Sequence, residues 1–181
     1  MVAITNRIRI ERVLAELGMT PAHPRLARLT AFDEATALVP TRCAASGVEH
    51  LLSPATSAAW SGLVRAAARD GIGLELISGF RSYAYQRDLI QKQQAAGRPL
   101  GDILQSVAPP GFSEHHTGEA VDIGCPGCDD LTASFADTAA FRWLAANAER
   151  LGWTMSYPAG NEFGYVYEPW HWKWHPPQLI P

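Results

Sequence analysis

Three short segments of the chain, residues 78–86, 113–122 and 168–171, concentrate the residue types that catalysis needs. A catalytic zinc ion takes three protein ligands, commonly from His, Asp and Glu, and keeps one position open for water. The second and third segments together offer more such side chains than one ion can use. These candidate ligands are Glu114, His115, His116, Glu119, Asp122, Glu168 and His171.

Spacing alone does not choose between the two adjacent histidines. His116 and Asp122 are six positions apart, so an unbroken strand would place them on the same face, whereas His115 and Asp122 would face opposite ways. Gly118 lies between them, however, and glycine is a residue at which strands bulge or bend. Both histidines therefore remain candidates on this criterion.

The helices that must position these segments are indicated by apolar periodicity and by capping residues. Most of the predicted helices have serine or proline at their start and glycine at their end. We expect helices near residues 8–17, 54–70, 83–96 and 141–151.

The remaining chain predicts short strands and long connections. Residues 73–78 alternate like a strand, and the tail from Trp153 onward also predicts strands, with its three last tryptophans on one face. Residues 20–40 predict a wrapping segment, and residues 99–112 and 125–134 predict loops. Helices and short strands without a regular βαβ order predict an α+β domain.

Length and charge exclude several classes of protein. A chain of 181 residues suits one domain, and a net charge of −3 without a basic stripe argues against nucleic acid as a partner. No apolar run approaches the ~20 residues of a membrane span, and charged residues interrupt the N-terminus, so no secretory signal is expected. We expect a monomer that is cytoplasmic as the chain stands, or periplasmic or extracellular if an export segment has been removed.

The cysteines Cys43, Cys125 and Cys128 are odd in number and so cannot form a disulfide framework within one chain. The Cys-Pro-Gly-Cys sequence at 125–128 has the spacing of half a structural zinc site, to which Cys43 could add a third sulfur. A tight turn with two thiols or a local disulfide is the favoured interpretation, because a second Cys-x-x-Cys pair is absent. A structural zinc domain built on the cysteines is kept as the weaker alternative.

The motifs resemble those of a known enzyme family. Ser-x-His-x-x-Gly-x-Ala-x-Asp at 113–122, followed by Glu-x-x-His at 168–171, is similar to the signature of the LAS-type zinc metallopeptidases. Ser-x-x-Arg-Ser at 78–82 and the aromatic ending at 164–172 are most similar to the VanY-type D-alanyl-D-alanine carboxypeptidases. The resemblance covers roughly residues 50–175, which is about the size of one domain.

The resemblance implies a role for each of the main residues. His115, Asp122 and His171 would bind one Zn²⁺ ion, Glu168 would be the catalytic base, and Arg81 would steady the substrate's carbonyl oxygen. His116 would lie in the pocket or behind a ligand. Further candidate substrate contacts are Ser113, Gln86, Trp170 and Tyr83.

The same resemblance implies a fold and a domain organisation. The family fold is a small, mostly antiparallel sheet flanked by helices, of the Hedgehog/D,D-peptidase type, in a single domain. Residues 1–50 would then be an N-terminal helix and a wrapping segment packed on the domain, and residues 51–181 the zinc peptidase core.

The implied activity is removal of a C-terminal D-alanine from peptidoglycan stem peptides or their precursors. An L,D-carboxypeptidase, a D,D-dipeptidase or an L-alanyl-D-glutamate endopeptidase would use the same metal site. A zinc-bearing module that binds the cell wall without cutting it is an alternative of another class, but it predicts loss of the base or the arginine, and Glu168 and Arg81 are both present.

The proposed base makes a geometric demand on the chain. Glu168 and His171 are three positions apart, so a regular strand would aim them in opposite directions. Pro169 lies between them and cannot donate to a strand ladder. We therefore predict that the chain bends or bulges at Pro169.

Overall fold

The computed structural model describes residues 2–43, 47–129 and 131–176. Its helices are α1 (Val2–Ala15), α2 (Pro54–Arg69), α3 (Tyr83–Ala95), α4 (Leu100–Ile103) and α5 (Ala139–Asn147). Its strands are β1 (Val39–Arg42), β2 (Glu49–Leu52), β3 (Glu75–Ser78), β4 (Ala120–Gly124), β5 (Trp153–Met155) and β6 (His171–Trp174).

Local capping explains where the helices beside the site begin. The hydroxyl of Ser53 accepts from the backbone N–H of Thr56, and Pro54 occupies the first turn of α2, where its missing N–H is not needed. Ser82 caps α3 in the same way, through the N–H of Tyr85. Both helices therefore start where their sequence signals predict.

The main sheet has four strands in the order β3-β4-β6-β5, and every neighbouring pair is antiparallel. Strand β4 is central and buried along its whole length. Asp122 of β4 lies opposite Ser78 of β3 on one side and His171 of β6 on the other. Strands β1 and β2 form a separate antiparallel hairpin.

Two apolar clusters hold these elements together. The larger one lies between the main sheet and helices α2 and α5, and it includes Trp60, Leu76, Val121, Trp153 and Trp172. Burying a large apolar side chain of this kind contributes about 1.5–3 kcal/mol. The smaller cluster packs α1 against α3 and α4, and it is formed by Leu14, Leu17, Met19, Leu26, Ile90, Ile103 and Leu104.

The α+β fold with a small antiparallel sheet and flanking helices confirms the expected fold class. Three local expectations need correction. The hairpin β1–β2 was not predicted, and the short helix α4 lies inside the expected loop 99–112. In the tail, as far as residue 176, strands cover only residues 153–155 and 171–174, because turns and hydrogen-bonded loops occupy the chain between them.

The cysteine motif forms a disulfide between Cys125 and Cys128, and Cys43 is buried in the larger cluster. Sulfurs joined in a disulfide are not thiolates and cannot act as zinc ligands. This arrangement agrees with the interpretation of the motif as a turn with a local disulfide. Among the described residues, no helix has the length and hydropathy that crossing a membrane requires.

Candidate metal centre

His115, Asp122 and His171 come together from three different elements. His115 lies in a 3-10 helix, Glu114–Thr117, which ends at Gly118. Gly118 adopts a positive φ of 66°, and a side chain there would lie 2.9 Å from the backbone nitrogen of Ser53. This turn separates His115 from β4, so strand parity does not decide which histidine faces Asp122.

The atoms of these three side chains have the spacing of a shared ligand set. Asp122 Oδ1 lies 3.3 Å from His115 Nε2 and 3.2 Å from His171 Nδ1, and one ligand atom from each residue falls within 4.8 Å of the others. Bonds of about 2.0–2.1 Å to a tetrahedral zinc ion would separate ligand atoms by about 3.4 Å. All three side chains are buried. The donor set therefore fits one zinc ion.

The outward-facing nitrogen of each imidazole has its own partner. His115 Nδ1 lies 2.7 Å from the carbonyl oxygen of Gly79, and His171 Nε2 lies 2.9 Å from Glu114 Oε2. Each of these nitrogens can donate its proton, which leaves the other nitrogen of the ring with a lone pair facing the centre. The sequence offers Glu114 as a candidate ligand but does not predict its place behind His171. Its position directly before His115 in the motif is the signal that could have suggested it.

Burial and neighbouring charges set the protonation states of Asp122, His171 and His115. Burial would raise the pKa of Asp122, but His115 and the Arg81 guanidinium hold it well below its usual range. Burial opposes a raised pKa at His171, yet hydrogen bonds to Asp122 and Glu114 raise it to about 9. Burial, together with nearby Arg81, lowers the pKa of His115 to about 4. His115 is therefore a neutral donor at physiological pH.

Glu168 reaches the same cleft through a turn. The N–H of His171 donates to the carbonyl of Glu168, 3.1 Å away, and residues 169–170 form the turn before β6. The bend predicted at Pro169 is confirmed. Glu168 is only 7% exposed, and burial, opposed by His171 and supported by Asp122, raises its pKa to about 7. A carboxyl group with such a pKa can exchange a proton near neutral pH.

Arg81 lines the cleft next to Asp122, and His116 contacts the backbone of Arg81. Arg81 pairs with the second carboxylate oxygen of Asp122, and its Nε donates to Ser78 Oγ at 3.0 Å. His116 is not part of the candidate ligand cluster: its Nε2 accepts from the N–H of Gly111, and its Nδ1 lies 2.5 Å from the carbonyl oxygen of Arg81. The structure thus places His116 behind Arg81, as a support for its backbone.

The centre opens into a cleft of about 400 Å³. Of the candidate substrate contacts, Ser113, Gln86 and Trp170 line this cleft. Tyr83 is not among its lining residues, because its ring is 1% exposed and its hydroxyl donates to the carbonyl of Phe32. Cleft-lining residues that were not among the predicted substrate contacts include Tyr85, Leu89, Leu131, Tyr157, Tyr165 and Val166.

Comparison with known proteins matches residues 49–177 to the model of a family described as VanY, D-alanyl-D-alanine carboxypeptidase. The putative carboxypeptidase YodJ of Bacillus subtilis is 36% identical over 112 residues, which cover 60% of this chain and 41% of that protein. The bifunctional D-Ala-D-Ala dipeptidase and carboxypeptidase VanXYC of Enterococcus gallinarum is 31% identical over 68% of this chain and 66% of its own length. The chain thus spans less than two thirds of either relative.

Solved structures of related enzymes share the fold. The LdcB LD-carboxypeptidase superposes with a TM-score of 0.69 at 32% identity, over 78% of this chain and 69% of that one. VanYB in complex with D-alanine-D-alanine gives a TM-score of 0.63 at 26% identity, over 80% and 81%. A VanY D,D-pentapeptidase variant in complex with Zn(II) gives 0.59 at 26% identity, over 76% and 78%.

Proposed function

The chain belongs to the VanY family of D-alanyl-D-alanine carboxypeptidases, and on this premise we propose that it is a zinc-dependent D,D-carboxypeptidase. Its substrates would be peptidoglycan stem peptides or their precursors, from which it removes the C-terminal D-alanine. The observation that carries the proposal is the buried cluster of His115, Asp122 and His171 beside Glu168 in one cleft. The family match over residues 49–177 confirms the family expected from the sequence motifs, while the residue roles below are our proposal.

His115 Nε2, Asp122 Oδ1 and His171 Nδ1 would hold the zinc ion. Zinc bound by three protein ligands supplies a Lewis acid and lowers the pKa of water to about 7. The backbone carbonyl of Gly79 and the carboxylate of Glu114 would hold the two imidazole rings in orientation from behind. Zinc binding would release the proton that His171 holds at neutral pH in the metal-free centre. Two neutral imidazoles and one carboxylate would then leave the zinc site a net charge near +1, which suits an anionic transition state.

Glu168 would move the proton during hydrolysis. Its raised pKa, about 7, lies close to the pH at which such an enzyme works. It would accept a proton from the attacking water and then donate it to the leaving amine nitrogen of D-alanine. The turn at residues 169–170 allows this, because it takes Glu168 out of the strand and turns it toward the cleft that His171 also lines.

Arg81 would stabilise the charge that develops on the scissile carbonyl oxygen. Its guanidinium lines the cleft and is held by Asp122 and by Ser78 Oγ, so its direction is fixed before substrate binds. Loss of one such preorganised donor costs a factor of about 10²–10³ in rate. We therefore expect Arg81→Ala to lower kcat by that factor with a smaller effect on metal binding.

A second candidate activity is L,D-carboxypeptidase, and one observation favours it specifically. LdcB, an LD-carboxypeptidase, superposes with the highest TM-score of the three structures compared above. D,D-dipeptidase and L-alanyl-D-glutamate endopeptidase activities use the same metal chemistry. The cleft walls, and not the metal ligands, must decide among these bonds.

Defined peptides separate these activities. Zinc-loaded protein is incubated with a stem pentapeptide ending in D-Ala-D-Ala, a tetrapeptide ending in one D-Ala, and the free dipeptide D-Ala-D-Ala, and the products are identified by mass. We expect release of a single D-alanine from the pentapeptide. Cleavage of the tetrapeptide alone would replace the D,D assignment by the L,D one.

The proposed base is tested with the same peptides. Glu168→Gln should abolish cleavage while retaining zinc, whereas Glu162→Gln, at an exposed position of the same loop, should leave cleavage unchanged. Full activity of Glu168→Gln would overturn the proposed role, and zinc binding without cleavage of any peptide by the unaltered protein would favour the non-catalytic module.

A further inference from the structure

Arg25 links two loops around the cleft from a position outside the family match, which begins at residue 49. It lies in a 3-10 helix, Pro24–Arg28, of the N-terminal segment. Its Nε donates to the carbonyl of Leu104 at 3.2 Å, and its Nη1 donates to the carbonyl of Phe163. One side chain therefore ties the chain after α4 to the loop that precedes Glu168.

The same guanidinium begins a row of stacked groups that ends at a proposed metal ligand. Its central carbon lies 4.3 Å from the ring centre of Tyr165. The ring centres of Tyr165 and Tyr157 are 4.7 Å apart, and the ring centres of Tyr157 and His171 are 4.6 Å apart. Cation–π and aromatic contacts at these distances each stabilise one relative placement of the groups. We call Arg25, Tyr165, Tyr157 and His171 the aromatic row.

The loop between Phe163 and Glu168 is held by contacts at several points. Beyond Arg25, the backbone N–H of Val166 donates to the carbonyl of Gln105, and the N–H of Glu168 donates to the carbonyl of Tyr157. The loop and the aromatic row thus share Tyr157, which contacts His171 through its ring and Glu168 through its backbone. A shift of this tyrosine would move both groups.

The burial of one guanidinium nitrogen of Arg25 carries a cost in free energy. Its Nη2 is buried and has no hydrogen-bond partner among the residues that the structure describes. A buried donor left unpaired costs about 1–3 kcal/mol. Local costs of this kind are expected where a residue serves the site and not only the fold.

We propose that Arg25 is a positioning residue for the metal centre, acting on His171 through the aromatic row and on Glu168 through the loop. Its effect on catalysis presupposes the proposed peptidase activity, whereas its effect on metal binding presupposes only the proposed ligand set. Arginine is required because its planar fork reaches two carbonyl oxygens while its face covers the ring of Tyr165. Lysine could keep a cation near the ring but could not join both carbonyls.

The test compares Arg25→Met and Arg25→Lys with Arg28→Met, a matched control at an exposed position of the same 3-10 helix. Zinc affinity is measured by chelator competition, the ligand field by the visible spectrum of the Co²⁺-substituted protein, and folding by thermal unfolding. Loss of a group that hydrogen-bonds a metal ligand directly weakens metal binding by about 10–100-fold. Arg25 acts through two tyrosines, so Arg25→Met should weaken zinc binding by no more than about tenfold and should shift the Co²⁺ bands. Arg25→Lys should fall between Arg25→Met and the unaltered protein, and Arg28→Met should match the unaltered protein.

An unchanged Co²⁺ spectrum and unchanged zinc affinity in Arg25→Met would overturn the proposal, even if its melting temperature fell. Should Arg25→Met fail to fold, Arg25→Lys decides by the same two readouts. With the stem pentapeptide as substrate, Arg25→Met should lower kcat by a larger factor than it raises KM. If the unaltered protein binds zinc but cleaves no peptide, the proposed function fails, while the metal readouts still decide the role of Arg25.

Discussion

Replacement of Glu114 should weaken the metal site although this residue is not a proposed ligand. Glu114 Oε2 lies 2.9 Å from His171 Nε2 and accepts a second hydrogen bond from Ser156 Oγ at 2.6 Å. Burial would raise the pKa of Glu114, but these hydrogen bonds and the charge of His171 lower it to about 2, so it stays ionised at neutral pH. A carboxylate in this position raises the basicity of the metal-binding nitrogen and holds the ring in one orientation.

The expected loss of zinc affinity follows from the contacts that each substitution of Glu114 leaves in place. Glu114→Gln can keep one oxygen for His171 but loses the charge, and a charge-assisted hydrogen bond is roughly twice as strong as a neutral one. Glu114→Ala leaves the buried N–H of His171 without its acceptor. Loss of such partners costs about 10–100-fold in metal affinity, which equals about 1.4–2.8 kcal/mol. We expect the glutamine variant near the lower limit and the alanine variant near the upper limit.

Chelator competition on the metal-free variants measures this directly. Glu119→Gln is the matched control, because Glu114 and Glu119 both approach Lys173 Nζ, at 3.8 Å and 4.0 Å, but only Glu114 contacts His171. The control should therefore bind zinc as the unaltered protein does. Equal zinc affinity in Glu114→Ala and Glu119→Gln would refute the role assigned to Glu114.

Four further predictions concern the metal, the fold and the cysteines. Chelation should abolish peptide cleavage and added Zn²⁺ should restore it; cleavage by protein shown to be metal-free would contradict the zinc assignment. Gly79→Ala should destabilise the protein by about 1–3 kcal/mol, because the added Cβ would lie 2.6 Å from the carbonyl oxygen of Leu51, and an unchanged melting temperature would disprove this. Joint replacement of Cys125 and Cys128 by serine should leave one zinc ion per chain by metal analysis, and a zinc-free product would show that the sulfurs contribute. Ser53→Ala should lower the free energy of unfolding by about 1 kcal/mol through the lost cap of α2, measured in urea, and no change would show that this cap is not stabilising.

Local signals in the sequence were sufficient for much of the fold. Ser53 with Pro54, and Ser82, mark the starts of α2 and α3, where both helices begin. Pro169 predicts the bend that lets Glu168 and His171 face one cleft. These features depend on backbone angles and hydrogen bonds within a few residues, so the chain determines them almost independently of its partners in space.

Local sequence signals do not predict the hairpin β1–β2 or the position of Tyr83. Strand β1 is short and pairs with β2 across an intervening segment, and short strands without alternation carry little periodic information. Tyr83 directly follows the Ser-x-x-Arg-Ser motif at 78–82, yet its backbone N–H donates to Glu34 and its hydroxyl to the carbonyl of Phe32. Those partners lie about fifty positions earlier in the chain, and only the folded structure brings them to α3.

The sequence by itself determined the chemical types at the centre, the order of the motifs and the family to which they belong. Tertiary structure decided which nitrogen of each histidine faces inward, because the Gly79 carbonyl and the Glu114 carboxylate occupy the other side. It also placed His116 behind Arg81 and brought Arg25 to the loop that carries Glu168. The physical reason is that hydrogen bonds and stacking act over a few ångströms in space, while spacing along the chain constrains only neighbouring residues.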